Sequence, residues 1–343
     1  SKIRYYLPEE NPNWPYYKGR PMPLIEIKNL SKRFGKLVAV NDLSLSIGEG
    51  EVFGLLGPNG AGKTTTLLML TTLLRPTSGT AIVNGFDIVL QPDKVRKSIG
   101  IVFQDPSSDE TLTGYENLNL HGLLYDMPSN LREQRIAEVL ALVDLTGRKD
   151  DMVKKYSGGM RRRLELARGL MHHPKILFLD EPTLGLDPQT REHIWAYVKK
   201  LAQEKNITII ITTHYMDEAD RLCNRVGIVD AGKIAVLGSP SQLKQEVGGD
   251  VIFLKAKRFD VASLQGLPFV KGVRTEQDGI SITVEDAGIH LQEVLNRAGP
   301  VDFVEVRPMT LEDVFLHHTG RAIREGSPEG NWAEKAMSAG LRR

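Results

Sequence analysis

Short apolar runs and longer stretches of helical spacing alternate along the first two thirds of the chain. The apolar runs have the length of buried strands, and the segments between them carry hydrophobic residues three and four positions apart. This alternation predicts a largely parallel α/β core with a small antiparallel sheet at its start. The predicted strands are 24–28, 43–47, 51–56, 79–83, 98–102, 176–180, 208–212 and 225–230.

The strand signal disappears between residues 113 and 156, where the apolar positions keep helical spacing. Leu131, Ile136, Val139, Leu140 and Val143 form one stripe of this kind. The pattern predicts a helical lobe, at about residues 105–160, inserted into the α/β core.

A second pattern begins after Ser239-Pro240. It predicts strands at 250–257, 269–275, 279–284 and 301–307, with helices at 260–265 and 286–298. The order βαββαβ is that of a ferredoxin-like α+β sandwich. A last helix at 311–319 is predicted to begin at Thr310, with Asp313 in the position of a capping box.

These patterns divide the chain into four segments. Residues 1–23 form an arm rich in Tyr and Pro, 24–239 the α/β unit, 240–320 the ferredoxin-like domain, and 321–343 a charged tail. We expect the arm to dock on a preformed surface, because its clustered aromatic rings have too few aliphatic neighbours to form a core.

Composition narrows the class of protein. The 343 residues are 41% hydrophobic and 25% charged with a formal net charge of +1, so no basic field predicts a nucleic-acid partner. The single cysteine, Cys223, excludes an internal disulfide and fits a reducing compartment. The apolar runs are too short to span a membrane, and no signal-peptide pattern is present, which predicts a cytoplasmic location.

A glycine-rich segment follows the predicted strand 51–56 and precedes a predicted helix at 64–74. Its spacing, G-x-x-x-x-G-K-T, is that of a phosphate-binding loop, in which backbone N–H groups and a lysine hold the phosphates of a nucleotide. Thr64 is placed to ligate Mg²⁺ through its hydroxyl. The segment comprises Gly57, Pro58, Asn59, Gly60, Ala61, Gly62, Lys63, Thr64 and Thr65.

Two further motifs carry polar groups at the ends of predicted elements. Asp180 and Glu181 end a buried strand, where Asp180 can hold Mg²⁺ and Glu181 can deprotonate the attacking water. Ser157, Gly158 and Gly159 precede a long helix and offer N–H groups to a second anion. Taken alone, this Ser-Gly-Gly turn could simply begin a helix.

Together these motifs resemble the ATP-binding subunits of ABC transporters over roughly residues 24–239. The resemblance implies that Gln104 touches Mg²⁺ and reports the state of the nucleotide, and that His214 contacts the γ-phosphate. It also implies that Asp187 lies in the loop at the dimer seam and that Phe34 stacks on adenine. The chain departs from the family pattern at Phe34, where Tyr is usual, and at Met160, where Gln is usual.

Within that family, Tyr156-Ser157-Gly158-Gly159-Met160 with three following arginines, and the closing segment 308–316, look most like the drug-resistance and nodulation-type export ATPases. This implies two copies of the chain closing around two ATP with Mg²⁺. A separate transmembrane permease would be driven from the cytoplasmic face of the membrane and would export a hydrophobic drug, lipid or related compound. The permease is expected to dock between the Gln104 loop and the lobe near Glu110, Leu112 and Tyr115.

Two alternatives stay open at this stage. An importer motor would use the C-terminal sandwich to bind a small regulatory ligand, and it would work with a substrate-binding protein. A soluble non-transport ATPase of the same superfamily would act on DNA or ribosomes, and it would usually carry a coiled-coil insertion or two motor copies, neither of which the sequence contains.

Overall fold

The computed structural model describes residues 23–256, 260–276 and 278–320. The predicted aromatic arm, except for its last residue, and the predicted tail lie outside the described residues. The strands are β1 (Ile25–Phe34), β2 (Leu37–Ile47), β3 (Val52–Leu56), β4 (Ser78–Val83), β5 (Phe86–Asp87), β6 (Ile99–Val102), β7 (Ile176–Asp180), β8 (Thr208–Thr213), β9 (Arg225–Asp230), β10 (Lys233–Gly238), β11 (Asp250–Lys255), β12 (Val270–Thr275), β13 (Ile280–Val284) and β14 (Phe303–Pro308).

Eleven α-helices lie between or after these strands in the described part of the chain. They are α1 (Lys63–Leu70), α2 (Pro92–Ser98), α3 (Gly114–Leu124), α4 (Ser129–Leu142), α5 (Gly158–Leu170), α6 (Pro188–Lys205), α7 (Met216–Leu222), α8 (Pro240–Val247), α9 (Val261–Gln265), α10 (Ala287–Ala298) and α11 (Leu311–Thr319). Short 3₁₀ turns lie at Thr146–Arg148 and Val153–Lys155.

The central sheet has six strands in the order β10-β9-β3-β8-β7-β6, and all neighbours except β10 and β9 run parallel. Strands β3, β7 and β8 are buried along their whole length. Successive side chains of β7 enter different cores: Leu177 packs in one apolar cluster and Phe178 in the other. The sheet is therefore covered on both faces, which is why its strands read as continuous apolar runs.

The parallel strands bring their carboxyl ends to one edge. Leu56 of β3 pairs with Thr213 of β8, and Asp180 of β7 pairs with Thr212. The glycine-rich loop after β3, Glu181 after β7 and His214 after β8 consequently leave the sheet side by side, where ligands bind in open α/β sheets.

A second sheet of four antiparallel strands, in the order β2-β1-β4-β5, lies beside the central sheet and shares one apolar cluster with it. On the other side, α3 and α4 form the predicted helical lobe, and α5 begins where the predicted lobe ends. Thr113 and Glu116 cap α3 reciprocally, so this helix begins where the strand signal of the sequence ends.

The third sheet, in the order β12-β13-β11-β14, is antiparallel throughout. Counted within the domain, its strands lie in the order 2-3-1-4, which is the ferredoxin-like arrangement, with α9 and α10 contributing to its core. Helix α11 instead packs against α7 and α8, and its Val314 and Phe315 belong to the apolar cluster of the α/β unit.

The predicted fold class is confirmed by these three sheets. The sequence missed β5 and β10, and it extended α1 to residue 74. Helix α1 ends at Leu70 because Thr72 adopts a left-handed conformation, with φ of 65°, that an α-helix cannot include. The domain limits at 23, 239 and 320 stay a prediction.

Candidate active site

The glycine-rich loop turns from β3 directly into α1. Gly62 precedes the helix with φ of 106°, and a β-carbon there would overlap the carbonyl of Ala39, so the position requires glycine. No side chain caps the first N–H groups of α1, and the buried hydroxyl of Thr65 has no hydrogen-bond partner among the described residues. Uncapped N–H groups at the positive end of a helix fit a phosphate.

Lys63 lies in the floor of this loop and is 4% exposed. Its ammonium donates to the carbonyls of Gly57 at 2.8 Å and Pro58 at 3.2 Å, and it lies 3.6 Å from Oε1 of Glu181. Burial lowers the pKa of Lys63, while the charges of Glu181 and Asp180 oppose this shift. The loop thus presents a positive charge at the mouth of the uncapped helix.

Asp180 is buried beside α1 and accepts two hydroxyl hydrogen bonds. Thr64 donates to its Oδ1 at 3.1 Å, and Thr212 donates to the same oxygen. Burial raises the pKa of Asp180, and the hydroxyls of Thr212 and Thr64 partly offset this effect. A hydroxyl and a carboxylate oxygen this close are the oxygen donors that Mg²⁺ prefers, so Thr64 and Asp180 fit a magnesium ion.

Glu181 stands between Lys63 and His214. Its Oε2 lies 3.2 Å from Nδ1 of His214, at an angle that forms no hydrogen bond, and its main-chain N–H donates to the carbonyl of Thr212 at 3.0 Å. Burial acts to raise the pKa of Glu181, but the His214 and Lys63 side chains outweigh it and hold that pKa below its usual range. An ionised carboxylate at a strand end can accept a proton from water.

Gln104 follows β6, at the same edge of the sheet as Asp180. Its side chain is exposed, and its carbonyl accepts a hydrogen bond of 3.4 Å from Arg162. The predicted contact of Gln104 with magnesium stays a prediction.

The Ser-Gly-Gly turn forms the N-terminus of α5. Ser157 caps the helix by accepting from the N–H of Met160 at 3.2 Å, and Gly159 lies against Thr190 of α6. Asp187 caps α6 and accepts from the N–H of Thr190 at 3.0 Å. Hydrogen bonds from the hydroxyl and the N–H of Thr190 lower the pKa of Asp187. The structure brings this turn together with the Asp187 loop, and the hydrogen bonds and ion pair of Lys63 among the described residues involve neither of them.

Phe34 ends β1 at the tip of the first hairpin and is half-buried, with the ammonium of Lys32 5.1 Å from its ring centre. The hairpin continues into β2, whose Ala39 touches the glycine-rich loop at Gly62. The ring therefore lies on the element that borders the loop, and its stacking on adenine stays a prediction.

The sequence family described as ABC transporter matches residues 40–184, and the one described as ATP-binding protein DrrA1-3-like, C-terminal domain, matches residues 238–319. The chain is 37% identical to the linearmycin resistance ATP-binding protein LnrL of Bacillus subtilis, over 88% of its own length and all of that protein. The chain belongs to the ATP-binding subunits of ABC transporters. It is an ATPase of this family, which confirms the resemblance found in the motifs.

Two further relatives of this ABC ATPase match most of its length. The daunorubicin resistance ATP-binding protein DrrA3 of Streptomyces coeruleorubidus is 42% identical, over 88% of the chain and 98% of the relative. The Nod factor export ATP-binding protein I of Cupriavidus metallidurans is 38% identical, over 88% of the chain and 99% of the relative. The likeness extends beyond the ATPase unit into the C-terminal domain.

Solved structures match the ATPase unit. The dimeric post-hydrolysis state of the ATP-binding cassette MJ0796, bound to ADP and phosphate, is 30% identical with a TM-score of 0.57, covering 63% of this chain and 98% of that one. The cbiO1 subunit of the ABC transporter complex cbiONQ from Clostridium perfringens is 30% identical with a TM-score of 0.62, covering 65% and 91%.

The structure adds residues to the site that the sequence reasoning left without a role. Thr212 binds both Asp180 and the N–H of Glu181, and a hydroxyl within the apolar run of β8 was the available signal. Glu218 is fully buried and accepts from Thr183 and Trp195, which ties the segment after Glu181 to α7. Burial raises the pKa of Glu218. No periodic pattern distinguishes such a carboxylate from those on a solvated helix face.

Proposed function

We propose that this ABC ATPase is the motor subunit of an exporter, in which two copies close around two ATP and drive a separate membrane subunit. The observation that carries the proposal is the likeness to drug-resistance and Nod factor export proteins along nearly the whole chain, C-terminal domain included. It favours export over an importer motor or a soluble ATPase. The transported compound would be a hydrophobic drug, a lipid or a related molecule.

Hydrolysis would proceed at the edge of the central sheet. The glycine-rich loop and Lys63 would bind the phosphates of ATP, and Glu181 would orient water and take its proton, with His214 beside the γ-phosphate. Thr64 and Asp180, with Gln104, would hold Mg²⁺, which would neutralise phosphate charge when bound. These roles are supported by the short distances from the Glu181 carboxylate to the Lys63 ammonium and to the His214 ring.

Each site would be completed by the second copy of the chain. Ser157 and Asp187 are exposed and Gly159 is half-buried. The hydrogen bonds and ion pair of Lys63 within the described residues involve none of the three, as a role across a dimer seam requires. Closure would place these residues against the γ-phosphate bound by the partner, and hydrolysis would release them. The related cassette MJ0796 is dimeric, which supports the arrangement.

The membrane subunit would dock on the helical lobe. Leu120, Leu123 and Leu124 of α3 are 47%, 50% and 72% exposed, so the helix carries an apolar face toward solvent. Glu110, at the start of the lobe, pairs with Arg161 of α5, which anchors the loop that precedes α3. In the described ranges, which stop at residue 320, no helix is long and apolar enough to cross a membrane. A peripheral position at the cytoplasmic face of the membrane is therefore proposed.

The test is transport by the complex. The chain, produced with the membrane protein encoded beside its gene, should give inside-out vesicles that accumulate a hydrophobic fluorescent compound when ATP and Mg²⁺ are added. Vesicles with Glu181→Gln should accumulate none. Movement in the opposite direction, or dependence on an added substrate-binding protein, would refute the exporter in favour of an importer.

A further inference from the structure

Arg162 is a buried cation, and its hydrogen bonds within the described residues all go to main-chain carbonyls at or just after the carboxyl ends of β6 and β7. We call this edge of the central sheet, where Asp180 and Glu181 lie, the catalytic edge. It lies in the second turn of α5 and is 6% exposed. Its Nε donates to Pro182 at 2.7 Å, its Nη2 to Asp180 at 3.1 Å, and its Nη1 to Phe103 and, at 3.4 Å, to Gln104. One rigid guanidinium thus joins α5 to the ends of both β6 and β7.

The carbonyl of Asp180, at the end of β7, and the carbonyl of Pro182, two residues after that strand, flank Glu181. This residue has φ of 45°, a left-handed conformation that costs a non-glycine residue on the order of 1 kcal/mol or more. Such a conformation persists only where its surroundings fix it. Arg162 fixes the Asp180–Glu181 peptide, which precedes Glu181, and the Pro182–Thr183 peptide, which begins one residue after it, so it stabilises the backbone on both sides of the carboxylate.

The other carbonyls belong to the Gln104 loop. Glu165, one helical turn after Arg162, extends the attachment by accepting from the N–H groups of Ser107 at 3.1 Å and Ser108 at 2.8 Å. Burial lowers the pKa of Arg162 to about 10, which leaves it charged at neutral pH. Burying the charge of Arg162 costs free energy, and a hydrophobic residue could fill the same volume. The guanidinium instead supplies several hydrogen bonds in a fixed geometry, which a hydrophobic residue cannot provide.

We propose that Arg162 is a positioning residue for ATP hydrolysis, which holds Glu181 in its left-handed conformation and keeps the Gln104 loop in register with it. The inference rests on the role proposed for Glu181. It assigns Arg162 to the hydrolysis step rather than to nucleotide binding, since none of its hydrogen bonds reaches the glycine-rich loop.

The test compares full-length variants in solution. Arg162→Gln should lower kcat about 30- to 100-fold, because misplacing a catalytic group by about 1 Å can cost about a hundredfold. The Kd for a fluorescent ATP analogue should stay within about twofold of the parent, and ATP with Mg²⁺ should still produce dimers in sedimentation. A merely structural role would lower ATP affinity together with kcat.

Arg163→Gln is the matched control. Arg163 is the next residue of α5 and also donates to two carbonyls, those of Val143 and Asp144, but these lie within the lobe. Its kcat should stay within about twofold of the parent. If Arg162→Gln does not fold, Arg162→Lys decides, since it keeps the charge but its single ammonium cannot span both flanking carbonyls. The kcat of Arg162→Lys should be at least about fivefold lower than that of the parent, while its affinity for ATP stays unchanged.

The proposal is overturned by a kcat of Arg162→Gln within about threefold of the parent, by a parallel loss of ATP affinity, or by an equal effect in Arg163→Gln. Glu181→Gln is measured beside these variants. If Glu181→Gln hydrolyses ATP normally, the assignment of the base fails and Arg162 loses its target. If Glu181→Gln is inactive while Arg162→Gln is active, the role of Arg162 alone is refuted. Neither result bears on export.

Discussion

Replacing Thr212 by valine removes one hydroxyl from the catalytic edge and little volume. Thr212 is fully buried, and its Oγ1 donates to Asp180 while accepting from the N–H of Glu181 at 3.1 Å. Because that N–H also donates to the carbonyl of Thr212 at 3.0 Å, the substitution leaves no orphaned donor. The perturbation is therefore the loss of a charge-assisted hydrogen bond to Asp180.

The magnitude follows from the charge of the acceptor. Hydrogen bonds to charged groups contribute about 1.5–3 kcal/mol, which corresponds to about a ten- to hundredfold change in an equilibrium or rate. Thr64 still donates to Asp180 at 3.1 Å, so the lower half of this range is expected. We predict a rise of about tenfold in the Mg²⁺ concentration that gives half-maximal ATPase activity.

The pH dependence gives the same variant a second signature. Burial raises the pKa of Asp180, and the Thr212 hydroxyl opposes that rise. Without the hydroxyl, the pKa of Asp180 rises further, and the ionised form that we propose to ligate Mg²⁺ is lost at a higher pH. The acidic limb of the pH–kcat profile should therefore move to higher pH in Thr212→Val.

Thr208→Val is the control, since Thr208 is a fully buried threonine at the other end of β8 whose hydroxyl accepts from the N–H of Gly50 at 2.8 Å. It should lower the melting temperature without changing the Mg²⁺ or pH dependence of hydrolysis. The reasoning is refuted if Thr212→Val needs no more Mg²⁺ than the parent, or if Thr208→Val needs equally more.

Three other experiments test the site and the fold. Glu181→Gln should reduce ATP turnover about 10²- to 10⁴-fold while ATP and Mg²⁺ convert it from monomer to dimer in sedimentation; turnover within threefold of the parent would show that Glu181 is not the base. Mixing Lys63→Ala with Gly159→Asp chains should restore part of the ATPase activity that each lacks alone, and no recovery would mean that each site lies within one chain. Phe315→Ala, in helix α11, should lower the free energy of unfolding of the ATPase unit by about 3–5 kcal/mol. If that unit unfolded at the same denaturant concentration as the parent, Phe315 would not be part of its core.

The core strands and the loop motifs were predictable because their signals are local. A buried parallel strand needs an apolar run, which β3, β7 and β8 each contain, and the loop after β3 needs Gly62 for a left-handed turn. The ferredoxin-like domain was predictable from element order alone. Two strands were missed. β5 has only two residues, which is too short to form a pattern, and β10 is an edge strand without buried residues whose apolar run, 234–237, has only four residues.

The supporting residues could not be predicted because their roles depend on contacts distant in sequence. Arg162 lies among three consecutive arginines, and only the tertiary structure separates it from Arg163, which points into the lobe. Thr212 reaches Asp180 across 32 positions of sequence, and Glu218 reaches Thr183 across 35. The types and spacing of residues in the sequence do not indicate which of these distant residues contact each other.

The last helix has a consequence for protein engineering. The chain leaves the ATPase unit after α8 and returns with α11, and both helices pack into the same apolar cluster as α7. At the point of departure and return, Asp250 and Pro308 are paired neighbours on adjacent strands. A chimaera that exchanges this domain between relatives should therefore be joined beside Gly249 and Met309, which transplants the sandwich and keeps the recipient's own α8 and α11. A junction at residue 239 would also bring in the foreign side chains of α8 and α11 that pack in the ATPase cluster.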